Sequence, residues 1–187
     1  ADKNIAVLSG DGIGPEVINE AIKILNVISE KTDIRFNFDN AFIGASAIDK
    51  FDNPFPDPTK EICNNSDAIL FGAIGDPKYD NNPKAKIRPE DGLLEMRKYL
   101  GLYANVRPIK VYESLINSSP LKSSILDKTD FVVFRELTGG IYFGEKGFDN
   151  KTNSAFDTCR YTKDEIERIS HLAFKEAEKR RNQLTLV

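Results

Sequence analysis

The sequence contains a single histidine, His171, so no multi-histidine metal site can form, and a Ser-His-Asp arrangement would have to be built around that one position. It contains two cysteines, Cys63 and Cys159, far apart and outside any CxxC pairing, which reads as free thiols in a reducing compartment. No apolar run approaches the roughly 20 residues that cross a bilayer, and the first residues lack the basic-then-apolar pattern of a secretory signal. A cytoplasmic chain with no membrane partner is expected. Internal repeats and low-complexity tracts are absent. A formal charge of −3 gives no reason to expect nucleic acid as a partner. What remains is ordinary globular composition, 40% hydrophobic and 29% charged, in 187 residues, enough for one well-filled core or two small ones.

The charge is unevenly placed. Residues 78–110 carry eight basic side chains against four acidic ones, a net +4 that leaves −7 elsewhere. Such a reversal of sign draws a small anion. Within it, residues 88–108 read RPEDGLLEMRKYLGLYANVRP. Asp91 is placed to cap a short helix over residues 92–98, and Gly101 to end it in the left-handed conformation. Arg97 lies four residues after Leu93 and three after Leu94, so a guanidinium and two isobutyl groups share one helix face. Arg107 precedes Pro108, which forces it into extended backbone. Two cations beside two leucines suit a small anion with a branched hydrocarbon tail; the plainer alternative is a solvated amphipathic helix beside a strand.

Elsewhere the hydrophobic pattern alternates between strand and helix. Residues 4–8 form an apolar run that predicts a buried strand, followed by GDGIGPE at 10–16. Its G-x-G-x-G spacing is not the dinucleotide fingerprint, and its glycines serve either a ligand or only the strand-to-helix turn. Pro15 suits the first helical turn, and Val17, Ala21, Ile24, Leu25 and Ile28 recur at helical spacing to about residue 30. Ile34, Phe36 and Phe38 alternate with polar residues as a half-buried strand. After the proline-rich break at 53–58, a helix is expected over 59–64 and a buried strand over 68–71. Two strand–helix–strand passages favour an open α/β sheet, whose ligands gather beyond the carboxyl ends of the strands, where residues 10–14 and the polar loop from residue 75 both fall.

In the second half, residues 120–126 read as a helix, 131–134 as a fully buried strand and 141–143 as a short strand. Arg135 and Tyr142 flank the turn Thr138-Gly139-Gly140 and are candidate site residues, against the alternative of an Arg–Glu pair and a packed tyrosine. Residues 146–152 and 155–161 suggest a two-stranded ribbon that packs on a partner subunit. Thr162 and Glu165 fit a capping box before a helix with Ile166, Ile169, Ala173, Phe174 and Ala177 on one face and Lys179, Arg180 and Arg181 in its last turn. Residues 184–187 read as the start of a strand, so the chain reads as cut short.

Taken together, GDGIGPE at 10–16, RPEDGLLEMRK at 88–98, NVRP at 105–108 and RELTGGIYFGE at 135–145 resemble the 3-isopropylmalate dehydrogenases of the β-decarboxylating dehydrogenase family. The resemblance implies an α/β fold, an open mixed sheet with flanking helices, in which GDGIGPE is a structural turn near the cofactor. It implies two domains: residues 1–99 on the cofactor side, and 100–187 in a dimer-forming domain with a β-arm at about 139–160. By the same resemblance Arg97, Arg107 and Arg135 would bind the carboxylates of 3-isopropylmalate, and Leu93 and Leu94 would face its isopropyl group. Tyr142 would act as the catalytic acid. Residues 76–90, among them Asp76, Pro77, Lys78, Tyr79 and Glu90, would line the NAD site. The implied reaction is NAD-dependent oxidative decarboxylation of 3-isopropylmalate in leucine biosynthesis, carried out by a homodimer with Mg²⁺ or Mn²⁺. Members are about twice this length, and the metal ligands and a catalytic lysine are expected beyond Val187, so no metal residue is assigned. Alternatives are a non-catalytic anion-binding or dimer-forming module, a related decarboxylating dehydrogenase acting on isocitrate or tartrate, and a phosphate- or nucleotide-binding α/β domain.

Overall fold

The computed structural model describes residues 1–80 and 86–187. They form two compact units, Ala1–Leu100 and Gly101–Val187. Strands and helices are interspersed in an α/β arrangement with flanking helices, and the strands divide among three small sheets. Among the described residues no helix is long and apolar enough to cross a membrane.

The first unit is built on a parallel sheet in the order β2-β1-β3, from β1 (Asp2–Gly10), β2 (Arg35–Asn40) and β3 (Ala68–Ala73). The run Ile5-Ala6-Val7-Leu8 is buried on both sides because β1 is the central strand, as continuous apolar runs in parallel sheets predict. Its alternation sorts the core into two. Ile5 and Val7 pack with Ile18 of α1 (Gly14–Lys31), while Ala6 and Leu8 pack with Ile43, Phe55, Cys63 and Met96. Those last residues come from or lie beside α2 (Ala45–Phe51), α3 (Asp57–Asn64) and α5 (Pro89–Tyr99). A short helical turn, α4 (Pro77–Asp80), follows β3.

Helix α1 runs as expected, but its packed stripe is Ile18 with Ile22, and Val17, Ile24 and Ile28 are exposed. The helix is apolar over a wide arc, so period alone left its inward side ambiguous. Helix α5 begins at Pro89, not after Asp91. Asp91 sits in the first turn, where its carboxylate accepts the Arg88 N–H at 2.8 Å. Gly101 follows the helix end with φ +64°, as expected.

The second unit pairs β4 (Ala104–Lys110) with β5 (Asp130–Glu136) in an antiparallel ribbon, with α7 (Lys163–Glu178) against β5. The segment before β5 holds one turn of helix, α6 (Ser123–Leu126), after a 3₁₀ segment at Glu113–Ser118, in place of the helix expected over 120–126. Strand β5 is half-buried: Val132, Phe134 and Glu136 alternate with exposed Phe131, Val133 and Arg135, because helix α7 covers one face. The expected short strand at 141–143 is instead a 3₁₀ turn, Gly140–Tyr142. A hairpin pairs β6 (Lys146–Asp149) with β7 (Ser154–Asp157). Thr162 and Glu165 form the expected capping box of α7. The helix ends at Glu178, and Arg180 and Arg181 lie beyond it and donate to Asp130, which fastens the end of α7 to the start of β5. Residues 184–187 adopt no strand.

One buried carboxylate ties the first unit together. Asp11 accepts the Ala45 N–H at 2.8 Å, the Ser46 N–H at 2.9 Å and the Gly75 N–H at 3.2 Å. Its own N–H donates to the Ala73 carbonyl at 2.7 Å. The residue before α2 is Gly44, with φ +76° and no side chain to cap the helix, so Asp11 supplies the cap from across the sheet. Asp11→Ala should lower stability by about 3–5 kcal/mol, since three donors lose a buried acceptor, and Asp11→Asn by less, since one oxygen remains. Urea unfolding of both variants checks this order; equal midpoints in variant and parent would refute it.

Candidate functional site

The glycines of GDGIGPE are explained by packing. A Cβ at Gly10 would lie 1.9 Å from the Ala73 carbonyl oxygen, and one at Gly14 would lie 2.0 Å from that of Ser9. Strand β3 and the start of α1 approach the turn that closely only without side chains, and the Asp11 carboxylate fills the interior of the turn. This motif therefore builds the carboxyl end of the sheet.

The segment that follows β3 occupies that end. Asp76 caps α4: its Oδ1 accepts the Lys78 N–H at 3.0 Å and its carbonyl accepts the Tyr79 N–H at 2.9 Å. The Lys78 ammonium and the Tyr79 hydroxyl both donate to Asp49, at 2.5 and 2.8 Å. Glu90 reaches back over the loop, its Oε1 3.4 Å from the Cβ position of Gly75. Asp76, Pro77, Lys78, Tyr79 and Glu90 thus gather at the carboxyl end of β3. Residues 81–85, which fall in the expected cofactor-lining stretch, lie outside the described residues.

Leu93, Leu94 and Arg97 are half-buried on α5. Leu93 packs against the core cluster of Leu8, Phe55 and Met96. Gly92 sets how closely this helix approaches the chain at Pro54, since a Cβ there would lie 2.6 Å from the Pro54 carbonyl oxygen. A helix-interior glycine costs about 0.5–1 kcal/mol, which this approach explains.

In the second unit the ribbon register decides the arrangement. Asn105 pairs with Arg135 and Arg107 with Val133, so Arg107 and Arg135 are diagonal neighbours on one face. Glu136 and Asp130, on the opposite face, meet Arg168 and Arg180. The arginine face is therefore the one α7 leaves uncovered. The Tyr142 ring lies against Arg135, with 5.2 Å from the guanidinium carbon to the ring centroid. Arg107 thus shares a ribbon face with Arg135, and Arg135 meets the Tyr142 ring. A groove of about 500 Å³ lies between β5, α7 and the segment after α7, with Phe134, Ile169 and Ala173 in its lining. None of the expected site residues lines it.

Glu136, which the sequence offers only as a partner for Arg135, holds the turn that carries Tyr142. It accepts the Thr138 N–H at 2.7 Å, the Gly139 N–H at 2.8 Å and the Thr138 hydroxyl at 2.8 Å, and it pairs with Arg168 rather than with Arg135. Arg168 also stacks on Tyr103, at 4.8 Å. Burial pushes the Glu136 carboxyl up, but Arg168, the two amides and the hydroxyl outweigh it and hold it below its ordinary 4.5. No pattern in the sequence links Glu136 to Arg168, 32 residues away.

Among the described residues no group of three or more His, Cys, Asp or Glu side chains is placed to hold a metal ion.

Fold and side chains together define an α/β protein with a polar segment at the carboxyl end of its parallel sheet and, in the second unit, a strand face that carries two arginines and a tyrosine ring. The chain belongs to the isocitrate/isopropylmalate dehydrogenase family, whose model matches residues 4–187. It is 51% identical over 186 residues to a 3-isopropylmalate dehydrogenase of Bacteroides fragilis, covering 100% of this chain and 52% of that protein. It is 54% identical to one of Clostridium acetobutylicum, covering 98% and 52%. An isocitrate dehydrogenase from Methylococcus capsulatus shares the fold with a TM-score of 0.76 at 26% identity, over 96% of this chain and 48% of that one. The chain spans about half the length of the curated relatives it matches.

The depressed Glu136 carboxyl gives a test. Its contribution is complete above the unfolded value near 4.5 and is lost as pH falls through the lower folded value. Glu136→Gln should cost about 1–3 kcal/mol at neutral pH. Urea midpoints measured from neutral pH downward should show a shallower loss below pH 4.5 in the variant than in the parent. Parallel profiles would refute the assignment.

Proposed function

We propose that this chain provides the substrate-binding arginines and the nicotinamide-side loop of an NAD-dependent 3-isopropylmalate dehydrogenase. The reaction is oxidation and decarboxylation of 3-isopropylmalate to 4-methyl-2-oxopentanoate, a step of leucine biosynthesis. The observation that carries this reading is the uncovered ribbon face where Arg107 and Arg135 are diagonal neighbours and Tyr142 lies against Arg135. Family membership and the similarity to 3-isopropylmalate dehydrogenases support the choice of substrate.

The chemistry follows from the side chains. Guanidinium groups present paired N–H donors in a fork that matches a carboxylate, and two on one rigid ribbon fix an anion's orientation as well as its charge. Arg107 and Arg135, with Arg97 of α5, would bind the two malate carboxylates. Leu93 and Leu94 would accept the isopropyl group, whose burial contributes about 0.8 kcal/mol per methylene-sized group. Leucines leave no partner for a third carboxylate, which favours isopropylmalate over isocitrate. The Tyr142 phenol would supply the proton to the carbon left as an enol once carbon dioxide departs. Asp76, Pro77, Lys78 and Tyr79, on a turn tied to Asp49, and Glu90 of α5 would line the nicotinamide side. When bound there, NAD would accept hydride from the substrate alcohol.

In this reading residues 1–99 belong to the cofactor-side domain and residues 100–187 to a second domain. The β6–β7 hairpin leaves Phe148 57% and Phe156 51% exposed, and these aromatics would be covered between two copies in a homodimer. The free thiols Cys63 and Cys159 support a reducing, cytoplasmic setting.

Arg135→Lys, in a chain completed to the relatives' length, should lower kcat/KM for 3-isopropylmalate about a hundredfold, equivalent to about 2.7 kcal/mol. A lysine keeps the charge and loses the fork. Steady-state kinetics with NAD saturating checks this, and near-normal turnover would remove Arg135 from the site.

A further inference from the structure

We propose that Asp49, which lies outside the motifs that mark this family in the sequence, is a positioning residue for the cofactor loop. Its two oxygens are divided between consecutive loop residues: Oδ2 takes the Lys78 ammonium at 2.5 Å and Oδ1 takes the Tyr79 hydroxyl at 2.8 Å. The same ammonium lies 5.1 Å from the Tyr79 ring centroid, so the lysine and tyrosine side chains are held against each other as well as against the carboxylate. Lys78 and then Tyr79 draw the Asp49 carboxyl below its usual range, as expected for an acceptor that stays ionised.

The platform beneath Asp49 is itself anchored. It sits on α2, whose first amides are caught by Asp11, and Asp11 also accepts the Gly75 N–H at the start of the loop. The stretch from Gly75 to Tyr79 is thereby attached to α2 at both ends, through Asp11 at Gly75 and through Asp49 at Lys78 and Tyr79. Asp76 shapes the turn between the two attachments. An exposed ion pair alone is weak. One carboxylate gripping two successive side chains of a single helical turn restricts that turn's rotation about its own axis, which an isolated pair does not. With the turn held, the Tyr79 and Asp76 side chains keep one arrangement, and a ligand bound beside them does not have to order them.

This inference rests on the reading of Asp76, Pro77, Lys78, Tyr79 and Glu90 as the nicotinamide side. The test uses the chain completed to the relatives' length. Asp49→Asn should raise the NAD Kd, by calorimetry, and the NAD KM by roughly three- to tenfold, the range for two screened hydrogen bonds to a charged acceptor. It should leave kcat and the 3-isopropylmalate KM unchanged, and should speed hydrogen exchange at the Lys78 and Tyr79 amides. Asp49→Glu should restore part of the affinity, and Asp49→Asn should add little in a Lys78→Met, Tyr79→Phe background. If Tyr79→Ala weakens NAD while Asp49→Asn does not, the positioning role is wrong and the cofactor loop stands. If neither variant changes the NAD Kd, both fall.

Discussion

The buried carboxylate of Asp11 is the constraint on which the first unit depends. A parallel sheet leaves the ends of its strands open, and something must fix the turns there before they can present side chains to a ligand. Asp11 does this with backbone groups alone, joining the end of β1 to the end of β3 and to the first turn of α2. The arrangement requires glycine on each side. Gly44 must leave room, since a Cβ there would lie 2.3 Å from Asp11 Oδ2, and Gly10 must let the strands converge. The glycine-rich motif, the left-handed residue before α2 and the short helix itself are thus one structural solution.

The second unit uses the same device. Glu136, nearly buried, gathers two amides, a hydroxyl and a guanidinium, and so fixes the turn between β5 and the 3₁₀ segment that carries Tyr142. In both units a carboxylate at the end of a core strand accepts backbone N–H groups of the neighbouring turn. Each is satisfied many times over, which is what makes a buried charge tolerable. Each also holds one member of the proposed site: the loop at Gly75 in one case, Tyr142 in the other.

What could be read in the sequence was whatever depends on neighbours along the chain. The run at residues 5–8, the Thr162–Glu165 capping box, Gly101 and the β6–β7 hairpin all carry their cause within a few residues. Helix α2 was not foreseen because its cap comes from Asp11, 34 residues earlier. The strand expected at 141–143 failed because the preceding turn is bent onto Glu136 and Tyr161, and residues 184–187 failed because an apolar run becomes a strand only where a neighbour takes its hydrogen bonds. Among the proposed site residues, local charge, spacing and turn position marked the arginines and the tyrosine as candidates, and motif resemblance supplied their roles. Asp49, Glu136 and Arg168, which hold the surrounding segments, are not marked by any local pattern.

The placement of Arg107 and Arg135 follows from parity. Side chains alternate across a strand, so once Val132, Phe134 and Glu136 turn toward α7, Arg135 must turn away, and in the antiparallel register Arg107 goes with it. Helix α7 thereby selects which face carries the positive charge while touching neither arginine's role directly. Arg180 and Arg168 reinforce the choice by pairing with Asp130 and Glu136 at the two ends of β5 on the covered face. A one-residue slip would carry both arginines toward the helix and both acids away from their partners. The ion pairs and the apolar packing oppose that slip together, so the geometry of the arginine face is held by groups on the other side of the ribbon.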